Sequence, residues 1–459
     1  MQCLLSHAET FRDPAGSLRI MDDRVLRRVR VDRAQAALGF LRSPEAQHWV
    51  QRGNLIETRF LAEEDGELTL EHPRIFFPSY PWEWTASAWI AAARLTLQLC
   101  DSLLDQGLIL KDATPLNILF RGTQPVFVDV LSFDKRDPES PLWLAYAQFV
   151  RTFLLPLAAN KYLGWPLSAT AHKRDGYEPA DLAPYLNRWQ RWREPFRSLV
   201  TLPLMLEKSH DQRANATHTI RQQPELALRV LRRNLNSLRK HLHRLDPRHQ
   251  NTRWSTYATS AEHYSSEDHR QKQDFVRSAL DTGRPQHVLD LGGNTGIYSR
   301  IAAECGADVV SWDTDIGATE FHWHEDQRLA APALPLIANP ARPTPAVGWR
   351  NAESLALLDR ARGRFDCVMM LGFIHHLLLA EQIPLAEIAG LLRELTTRWA
   401  IVEWVPRSDP RFIDLLRGRD ALYAHLTEEA FCAALDLHFT NTLREQLPNG
   451  RVLFLLRAR

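Results

Sequence analysis

The feature that most constrains the fold of this chain is a short apolar segment ending in an acid and a glycine-rich turn. Residues 288–296 read VLDLGGNTG, and a helix is predicted to start at about Ile297. Glycine permits positive φ and lets backbone N–H groups approach a ligand closely. The segment predicts a parallel α/β domain with a ligand at the turn, close to Asp290 and to the stretch 292–296.

A second acid indicates what kind of ligand the turn holds. The apolar run Val309–Trp312 ends in Asp313, twenty-three residues after Asp290. An acid after the second strand of such a domain suits the hydroxyls of a ribose. The two features together predict a nucleoside cofactor. The alternative for Asp313 is the N-cap of the following helix.

Length and composition limit the possibilities for the whole chain. At 459 residues two or three domains are expected. A net charge of +1 argues against a protein that binds nucleic acid or membranes through its overall charge. Five dispersed cysteines favour a reducing compartment and offer no metal-ligand spacing. We see no signal peptide and no apolar run of about 20 residues, so a cytoplasmic protein without a membrane span is expected.

The C-terminal half alternates between strand-like and helix-like segments, which predicts a parallel sheet with helices on both faces. The predicted strands are His287–Leu291, Asp308–Trp312, Leu334–Ala338, Phe365–Leu371 and Trp399–Trp404. The pattern then changes, because two strand-like runs, 439–446 and 451–456, flank Pro448-Asn449-Gly450. Asn-Gly between strands is a strong hairpin signal. The domain is therefore expected to close with an antiparallel hairpin.

The turn differs from a dinucleotide-binding fingerprint, which places a pyrophosphate on a helix N-terminus. The acid at Asp290 would repel a pyrophosphate but suits a ligand with a cationic amino-acid end. The spacing Asp290-x-Gly292-x-Asn294-x-Gly296 resembles motif I of class I S-adenosylmethionine-dependent methyltransferases. Asn294 stands where many members have glycine, and asparagine tolerates left-handed φ. The resemblance implies a Rossmann-like α/β methyltransferase domain over residues 251–459.

The same resemblance implies roles for individual residues. Gly292 and Gly296 would line the cofactor S-adenosyl-L-methionine, with Gly293 and Asn294 between them. Asp313 would hold the ribose. Asn339, which follows the third strand, would lie near the adenine.

Three residues at strand ends are candidates for catalysis. His375 and His376 follow the fourth strand, and a histidine there can remove a proton from the substrate. Positioning alone can also drive much of an in-line methyl transfer, so a structural role is the alternative. Glu403 ends the fifth strand and would orient a histidine or a substrate hydroxyl, or else form a strand-end salt bridge.

Three aromatic residues and two further histidines are candidates for a cofactor cover and for a metal pair. Trp254, Tyr257 and Tyr264 precede the first strand and would either cover the sulfonium through cation–π attraction or pack between domains. His322 and His324 resemble a metal pair, but side chains two positions apart on a helix diverge. No metal site is predicted.

The N-terminal half, residues 1–205, carries a different set of polar residues. Asp112 and Asn117 are five apart, and Asp129 ends a following strand. This pattern resembles the catalytic loop and metal-binding strand of kinases, in which such residues serve nucleotide-bound magnesium. Leu110-Lys111-Asp112 replaces His-Arg-Asp, and residues 20–75 show neither a glycine-rich loop nor a clear strand lysine. The resemblance implies a kinase-like α+β domain, either active, nucleotide-binding without transfer, or a scaffold.

Between these halves, residues 206–250 are predicted to form a basic amphipathic helical linker. Residues 221–250 carry eight Arg or Lys against two acids. Leucines recur at three- and four-residue spacing, which indicates one apolar face: Leu228, Leu231, Leu235, Leu238, Leu242 and Leu245. The opposite face, with Arg232, Arg233 and Arg239, would contact nucleic acid or anionic membranes. The alternative is a packed helix with solvated arginines.

Longer stretches resemble a narrower group, the nodulation-type methyltransferases of rhizobia and other bacteria. The likeness runs through 343–349 (PTPAVGW), 374–377 (IHHL), 111–117 (KDATPLN) and 128–133 (VDVLSF). It implies a small-molecule or glycan acceptor, and nucleic acid is not favoured. Our leading hypothesis is a cytoplasmic S-adenosylmethionine-dependent methyltransferase. The alternatives are a bifunctional or kinase-type protein and a non-catalytic binding module.

Overall fold

The chain forms two compact units in a computed structural model. The structure describes residues 13–21, 23–210, 223–247 and 266–459. The first unit comprises Met1–Asn251 and Val347–Ser354, and the second comprises Thr252–Ala346 and Leu355–Arg459. The predicted aromatic cover lies outside the described residues: Trp254, Tyr257 and Tyr264.

The first unit begins with a four-stranded antiparallel sheet in the order β1-β2-β4-β3. Its strands are β1 (Gly16–Ile20), β2 (Arg24–Arg30), β3 (Arg59–Glu64) and β4 (Glu67–Pro73), and α1 (Gln35–Leu41) and α2 (Pro44–Gln51) lie between β2 and β3 in sequence. Alternate residues of β4 are buried, among them Leu68 and Leu70, and Val29 of β2, which pairs with Leu68, is buried with them. Because side chains alternate across a strand, these residues form one inner face.

A long buried helix and two short strand pairings position the polar residues of the first unit. Helix α3 (Ala86–Leu104) begins at Thr85, whose Oγ1 accepts the N–H of Ala88 at 3.1 Å. After it, β5 (Leu108–Leu110) pairs with β8 (Phe133–Lys135), and β6 (Ile118–Arg121) forms a hairpin with β7 (Gln124–Phe127). The loop with Asp112 therefore lies between two fixed strands.

The remainder of the first unit is helical, and its last helix carries the predicted leucine face. The helices are α4 (Tyr146–Phe149), α5 (Leu155–Leu163), α6 (Pro179–Leu182), α7 (Arg188–Arg191), α8 (Leu202–His210) and α9 (Pro224–Leu245). Five of the six seam leucines of α9 are buried and Leu228 is half-buried. On its flank Arg239 Nη2 donates to Asp101 Oδ2 of α3 at 2.9 Å, and Arg232 also pairs with Asp101. The packed-helix alternative describes α9 better than a nucleic-acid surface does.

The second unit contains the predicted sheet, with seven strands in the order β11-β10-β9-β12-β13-β15-β14. The strands are β9 (His287–Leu291), β10 (Asp308–Asp313), β11 (Leu334–Ile337), β12 (Phe365–Met370), β13 (Thr396–Trp404), β14 (Phe439–Gln446) and β15 (Val452–Ala458). The first five are parallel, and β15 is antiparallel to both β13 and β14. The predicted parallel sheet and closing hairpin are confirmed.

Helices before and between the strands complete the second unit. They are α10 (Ser266–Gly283), α11 (Ile297–Glu304), α12 (Ile316–Asp326), α13 (Leu357–Ala361), α14 (Ile374–Leu379), α15 (Leu385–Leu395), α16 (Pro410–Leu416) and α17 (Glu428–Asp436). Strand β9 lies between β10 and β12, so the strand order reverses there. Ligands of open α/β sheets bind outside the carboxyl ends of the strands at such a reversal. We call this place the crevice.

Candidate functional site

The glycine turn at the crevice uses all of its own backbone donors. The five N–H groups of Gly292–Gly296 each donate to a protein acceptor. The first two donate to the carbonyl oxygen of Trp312 at 2.8 and 3.3 Å, and the third donates to Asp313 Oδ2 at 2.8 Å. The last two donate within the turn at 2.8 Å each. These amides are bonded within the protein, so the turn presents no free set of N–H groups as an anion cradle. The predicted cofactor contacts of residues 292–296 stay a prediction.

Glycine is required in the turn by close packing as well as by conformation. Gly292 has φ +76° and Gly296 has φ +81°. A Cβ at Gly292 would lie 2.8 Å from the ring of Phe373, and one at Gly296 would lie 2.2 Å from the ring of His322. Asn294 adopts φ +47°, a conformation that asparagine tolerates. The turn is thus pressed onto the side chains beneath it.

Asp290 lies below the turn rather than on its surface. The carboxyl is fully buried, and Ser299 Oγ donates to its Oδ2 at 2.6 Å. A Cβ at Gly293 would lie 3.2 Å from that same oxygen. Burial raises the pKa of Asp290 to about 6. Its role in this geometry is to support the turn and to add negative charge beneath it.

Asp313 lies at the carboxyl end of β10 and is half-buried. Its two oxygens accept the N–H groups of Asn294 and Asp315, each at 2.8 Å. Helix α12 is capped by Asp315 itself, so Asp313 is not the helix N-cap. A carboxylate has about four lone-pair sites. The N–H of Thr314 also contributes to Asp313, so the three backbone donors leave room for one further hydrogen bond. Burial raises the pKa of Asp313.

Asn339 follows β11 and lies one residue beyond Ala338, whose N–H donates to the carbonyl oxygen of Asp313 at 3.0 Å. The side chain is half-buried, and its Oδ1 accepts the N–H of Ala341 at 2.8 Å. The amide oxygen is therefore used in a local turn. The NH₂ group is the part of Asn339 with chemistry to offer a base edge.

The two adjacent histidines have different surroundings. His375 is buried, and burial lowers its pKa to about 3. Its Nδ1 has no hydrogen-bond partner among the described residues. His376 is exposed, its ring stacks 6.4 Å from that of Phe373, and the nearby Asp313 favours its charged form. Partial desolvation still lowers the pKa of His376, so its imidazole is neutral and able to accept a proton at neutral pH.

Glu403 is fully buried at the carboxyl end of β13 and is paired with two cations. Lys272 Nζ lies 2.6 Å from Oε2 and Arg451 Nη1 lies 3.3 Å from Oε1. Arg451 also reaches Asp409, with Nε 2.8 Å from Oδ2. Burial opposes charge on Glu403, but the two cations outweigh it and lower its pKa. Because Glu403 is a fixed, paired anion, this geometry suits positioning better than proton transfer.

The basic partners of Glu403 are separated from it in sequence and were missed. Lys272 lies on α10 and its ammonium lies 4.7 Å from the ring centroid of Tyr298 on α11. Arg451 lies in the turn between β14 and β15, and its side chain is buried. The sequence signal available was weak: a lone lysine in an otherwise amphipathic helix.

The histidines of α12 support the fold. His322 Nε2 lies 3.1 Å from Asp326 Oδ2, and His324 Nε2 lies 3.4 Å from Glu320 Oε1. The two rings thus pair with acids in opposite directions along the helix. Across the described ranges no group of three or more His, Cys, Asp or Glu side chains has a metal-holding arrangement.

In the first unit the structure brings the three predicted polar residues together. Ser132 Oγ donates to Asp129 Oδ2 at 2.9 Å and lies 3.5 Å from Nδ2 of the buried Asn117. Asp112 is half-buried, and burial together with the charge of Asp129 raises its pKa. The carboxyls of Asp112 and Asp129 are close enough for their charges to repel, so a cation is favoured beside them.

A cation from the distant strand β2 already occupies part of this cluster. Arg27 Nη1 lies 3.4 Å from Asp129 Oδ1, and its Nη2 donates to the carbonyl oxygen of Val128 at 3.5 Å. Arg27 pairs across the sheet with Leu70, so both belong to the inner face. His72 shares that face, burial lowers its pKa to about 4, and its Nε2 has no partner within the described chain. Sequence reasoning missed Arg27, although it interrupts the apolar alternation of β2.

The strand order and the glycine turn of the second unit define a Rossmann-like α/β domain whose sheet closes with an antiparallel hairpin. No protein-family model matches the chain. It is 30% identical over 445 residues to nodulation protein NoeA of Rhizobium meliloti (strain 1021), covering 93% of this chain and 90% of that protein. The chain belongs to the family of nodulation protein NoeA.

Two solved methyltransferases resemble part of the chain. Magnesium protoporphyrin IX methyltransferase ChlM of Synechocystis PCC 6803 is 17% identical, with TM-score 0.30 over 42% of this chain and 80% of that one. N-methyltransferase NodS of Bradyrhizobium japonicum WM9 is 12% identical, with TM-score 0.32 over 42% of this chain and 98% of that one. At scores this low the likeness adds nothing to what the strand order shows.

Proposed function

We propose that this protein is an S-adenosylmethionine-dependent methyltransferase whose cofactor lies in the crevice of the second unit. One observation carries the proposal. The turn Gly292–Gly296 has no amide left for a phosphate, whereas two carboxyls, Asp290 and Asp313, lie directly below and beside it. Such surroundings disfavour a pyrophosphate and favour a ligand with positive charge. S-adenosylmethionine has a sulfonium and an α-amino group.

The residues present fit that cofactor. Asp313 has a lone pair beyond those given to its backbone donors, enough to accept a ribose hydroxyl. Gly292 and Gly296 keep the turn flat, because a side chain at either position would collide with the packing beneath. The NH₂ group of Asn339 would donate a hydrogen bond to the adenine. The bound cofactor supplies an electrophilic methyl group.

His376 is the residue we assign to proton transfer. It is exposed beside Phe373, near Asp313, and its lowered pKa keeps the ring neutral at pH 7. A neutral imidazole can take the proton that an acceptor hydroxyl or neutral amine loses as its lone pair forms the new bond to carbon. His375 and Glu403 lie behind it, buried, and hold the shape of the crevice. Much of the acceleration then comes from positioning.

The acceptor we propose is a small molecule or a glycan, in keeping with membership of a nodulation-protein family. Nucleic acid is disfavoured by the net charge of +1 and by the pairing of Arg232 and Arg239 with acids of α3. Four cysteines of the described chain are free thiols, which suits a reducing cytoplasm. No helix in the described ranges is long and apolar enough to cross a membrane.

The test is transfer of a labelled methyl group. Purified protein is incubated with methyl-labelled cofactor and an extract of its own host, and the products are separated by size. We expect label in the small-molecule or glycan fraction, and its loss in Asp313→Ala. Asp308→Ala, which removes an exposed acid at the other end of β10, is the matched control and should keep activity. Label in nucleic acid, or equal labelling by both variants, would contradict the proposal.

A second candidate function, favoured by a separate observation, is nucleotide binding in the first unit. Asp112, Asn117 and Asp129 meet in one cluster, and Arg27 reaches it from β2. In kinases an aspartate base, an asparagine and an aspartate serve the metal, and a strand lysine reaches the phosphates. We propose that Asn117 and Asp129 hold magnesium, that Asp112 has the base position, and that Arg27 takes the place of the lysine.

Calorimetric titration with magnesium and ADP tests this second function. We expect binding that needs both magnesium and ADP. Arg27 must leave Asp129 before a metal can bind there, and the phosphates of ADP would give Arg27 a new partner. Asp129→Ala should abolish binding. Asp134→Ala, an exposed acid on β8, should leave it unchanged. Absence of binding in the unaltered protein would leave the cluster a scaffold and refute the proposal.

A further inference from the structure

A short turn in the first unit exposes two tryptophans. Trp189 of α7 is 80% exposed and Trp192, just after it, is 60% exposed. Tryptophan is usually well buried, so an exposed pair is informative in a way that a single exposed leucine is not. Positions three apart on a helix lie on the same side. We call residues 187–193 the tryptophan–arginine turn.

The turn is held in place by its own hydrogen bonds. Asn187 Oδ1 accepts the N–H groups of Trp189 at 3.0 Å and of Gln190 at 2.8 Å, and Gln190 Oε1 accepts the N–H of Asn187 at 3.0 Å. Arg191 Nη2 donates to the carbonyl oxygen of Ala183 at 2.9 Å. The backbone that carries the indoles is therefore capped at its start and tied to the preceding segment.

The charge around the tryptophans has a single sign. Residues 185–193 include three arginines and no acid: Arg188, Arg191 and Arg193. All three are exposed. The next residue, Glu194, is engaged elsewhere, accepting from Arg197 Nε at 3.0 Å and from Ser198 Oγ at 2.7 Å. A local charge of +3 thus stands out in a chain whose net charge is +1.

Further exposed apolar residues begin next to the turn. Thr201 Oγ1 donates to the carbonyl oxygen of Arg191 at 2.6 Å, which ties the start of α8 to the turn. On α8, Leu202 is 43%, Met205 54% and Leu206 62% exposed. Their spacing of three and four residues places them on one helix face. Apolar surface therefore continues beyond the two indoles.

We infer that the tryptophan–arginine turn docks the protein on an anionic lipid surface. Indole rings settle at the headgroup level, where one edge is apolar and the other is wet. Arginines pair with lipid phosphates, and each is worth roughly a fivefold gain in binding near an anionic surface. An exposed seven-residue turn with arginines and no acid is small for a protein interface of about 20–30 residues a side. A fluid bilayer adapts to it and needs no matching groove.

Co-sedimentation of the full chain with vesicles tests the inference. We expect binding to phosphatidylcholine vesicles that contain phosphatidylglycerol, weak binding to pure phosphatidylcholine, and release by 0.5 M salt because the contact is electrostatic. The double variant Trp189→Ala, Trp192→Ala should lose binding by about tenfold or more. Trp349→Ala removes another exposed tryptophan (62% exposed) and should bind as before.

A charge series separates this surface from other basic places. Arg188→Ala with Arg193→Ala should weaken binding by about 10- to 30-fold, whereas Arg233→Ala on α9, also exposed, should change it little. Equal melting temperatures of all variants would show that none is misfolded. The inference is overturned if the unaltered chain stays in solution with anionic vesicles at low salt. It is also overturned if the tryptophan variant binds undiminished.

Discussion

The crevice of the second unit and the acid cluster of the first unit are built in opposite ways. In the crevice the amides of Gly292–Gly296 donate within the turn or to Trp312 and Asp313 at the end of the neighbouring strand β10. In the first unit the polar residues come from separate elements, and Asp129 is partnered by Arg27, 102 residues away. The proposed cofactor site of the crevice therefore comes from residues that are close in sequence or on neighbouring strands. At the acid cluster of the first unit, a cation would first have to displace Arg27 from Asp129.

The ion pairs of the two regions differ in burial, and the difference sets their energetic weight. Lys272 and Glu403 have side chains 4% and 0% exposed, whereas Arg27 and Asp129 are 13% and 24% exposed. A charge left alone in a buried pair cannot be hydrated, while one in a partly exposed pair can. The crevice should therefore tolerate substitution of its ion pair less well than the first unit does.

The largest expected effect is that of Glu403→Gln. It leaves Lys272 buried without its anion, which should lower the free energy of unfolding by about 3–5 kcal/mol. Arg27→Ala should have a smaller effect, about 1 kcal/mol. Denaturant unfolding measures both, with Glu267→Gln in an exposed pair as the control near zero. A loss below about 1 kcal/mol for Glu403→Gln would break the comparison.

Acid should destabilise both regions, the crevice more. The pKa of His375 is lowered to about 3 and that of His72 to about 4, so the unfolded chain binds protons that the folded one refuses. Stability therefore falls as pH drops from about 6.5 towards 4, by roughly 2–3 kcal/mol for His375. Asp290, with its pKa raised to about 6, takes up a proton on folding and offsets part of the loss.

Unfolding measured between pH 4 and pH 8 checks this sign. His375→Asn should give a shallower pH dependence than the unaltered chain, and His72→Asn a smaller change in the same direction. His425→Asn replaces an exposed histidine and is the matched control. It should leave the slope of unfolding free energy against pH unchanged. A steeper slope in His375→Asn would contradict the burial of a neutral ring.

Asp313→Asn sharpens the comparison at the level of binding. Replacing a charged acceptor weakens the hydrogen bond to the ribose, so affinity for S-adenosylhomocysteine should fall by about 10- to 100-fold. Binding of magnesium and ADP in the first unit should not change. Calorimetry measures both ligands in one preparation. A parallel loss of both would mean that the substitution disturbs the whole chain.

The crevice was largely predictable because its signals are local. Apolar runs and Asn449-Gly450 predicted the seven strands to within three residues at their ends, and Asp313 was selected from its distance to the turn. The partners of Glu403, Lys272 and Arg451, were not predictable. They are 131 and 48 residues away from it in sequence, and no sequence pattern indicates a pairing at such distances. The use of every turn amide depends on hydrogen-bond geometry that sequence does not encode directly.

The first unit shows the same limit more strongly. Asp112, Asn117 and Asp129 were selected from the sequence, and the structure gathers them, but Arg27 was passed over. The role of Arg27 becomes visible only from the pairing of β2 with β4, which places its side chain on the inner face of the sheet. Sequence patterns identify elements, whereas long-range pairing decides which side chains meet.

The smallest expected effect concerns Asn339→Ala. Its Oδ1 serves the N–H of Ala341, so only the NH₂ group is available to a ligand. Removing one neutral hydrogen bond at a half-buried site should lower cofactor affinity by about two- to fivefold. Equilibrium dialysis with labelled S-adenosylhomocysteine measures it. A loss as large as that of Asp313→Asn would give Asn339 a larger part than its geometry allows.

The central claim is that the crevice binds a sulfonium nucleoside and not a dinucleotide. Calorimetric titration of the unaltered chain with S-adenosylmethionine and, separately, with NAD tests it most directly. The account predicts saturable binding of S-adenosylmethionine at one site per chain and none of NAD, because the amides of Gly292–Gly296 are already bonded. Binding of NAD, or no binding of S-adenosylmethionine, would contradict it.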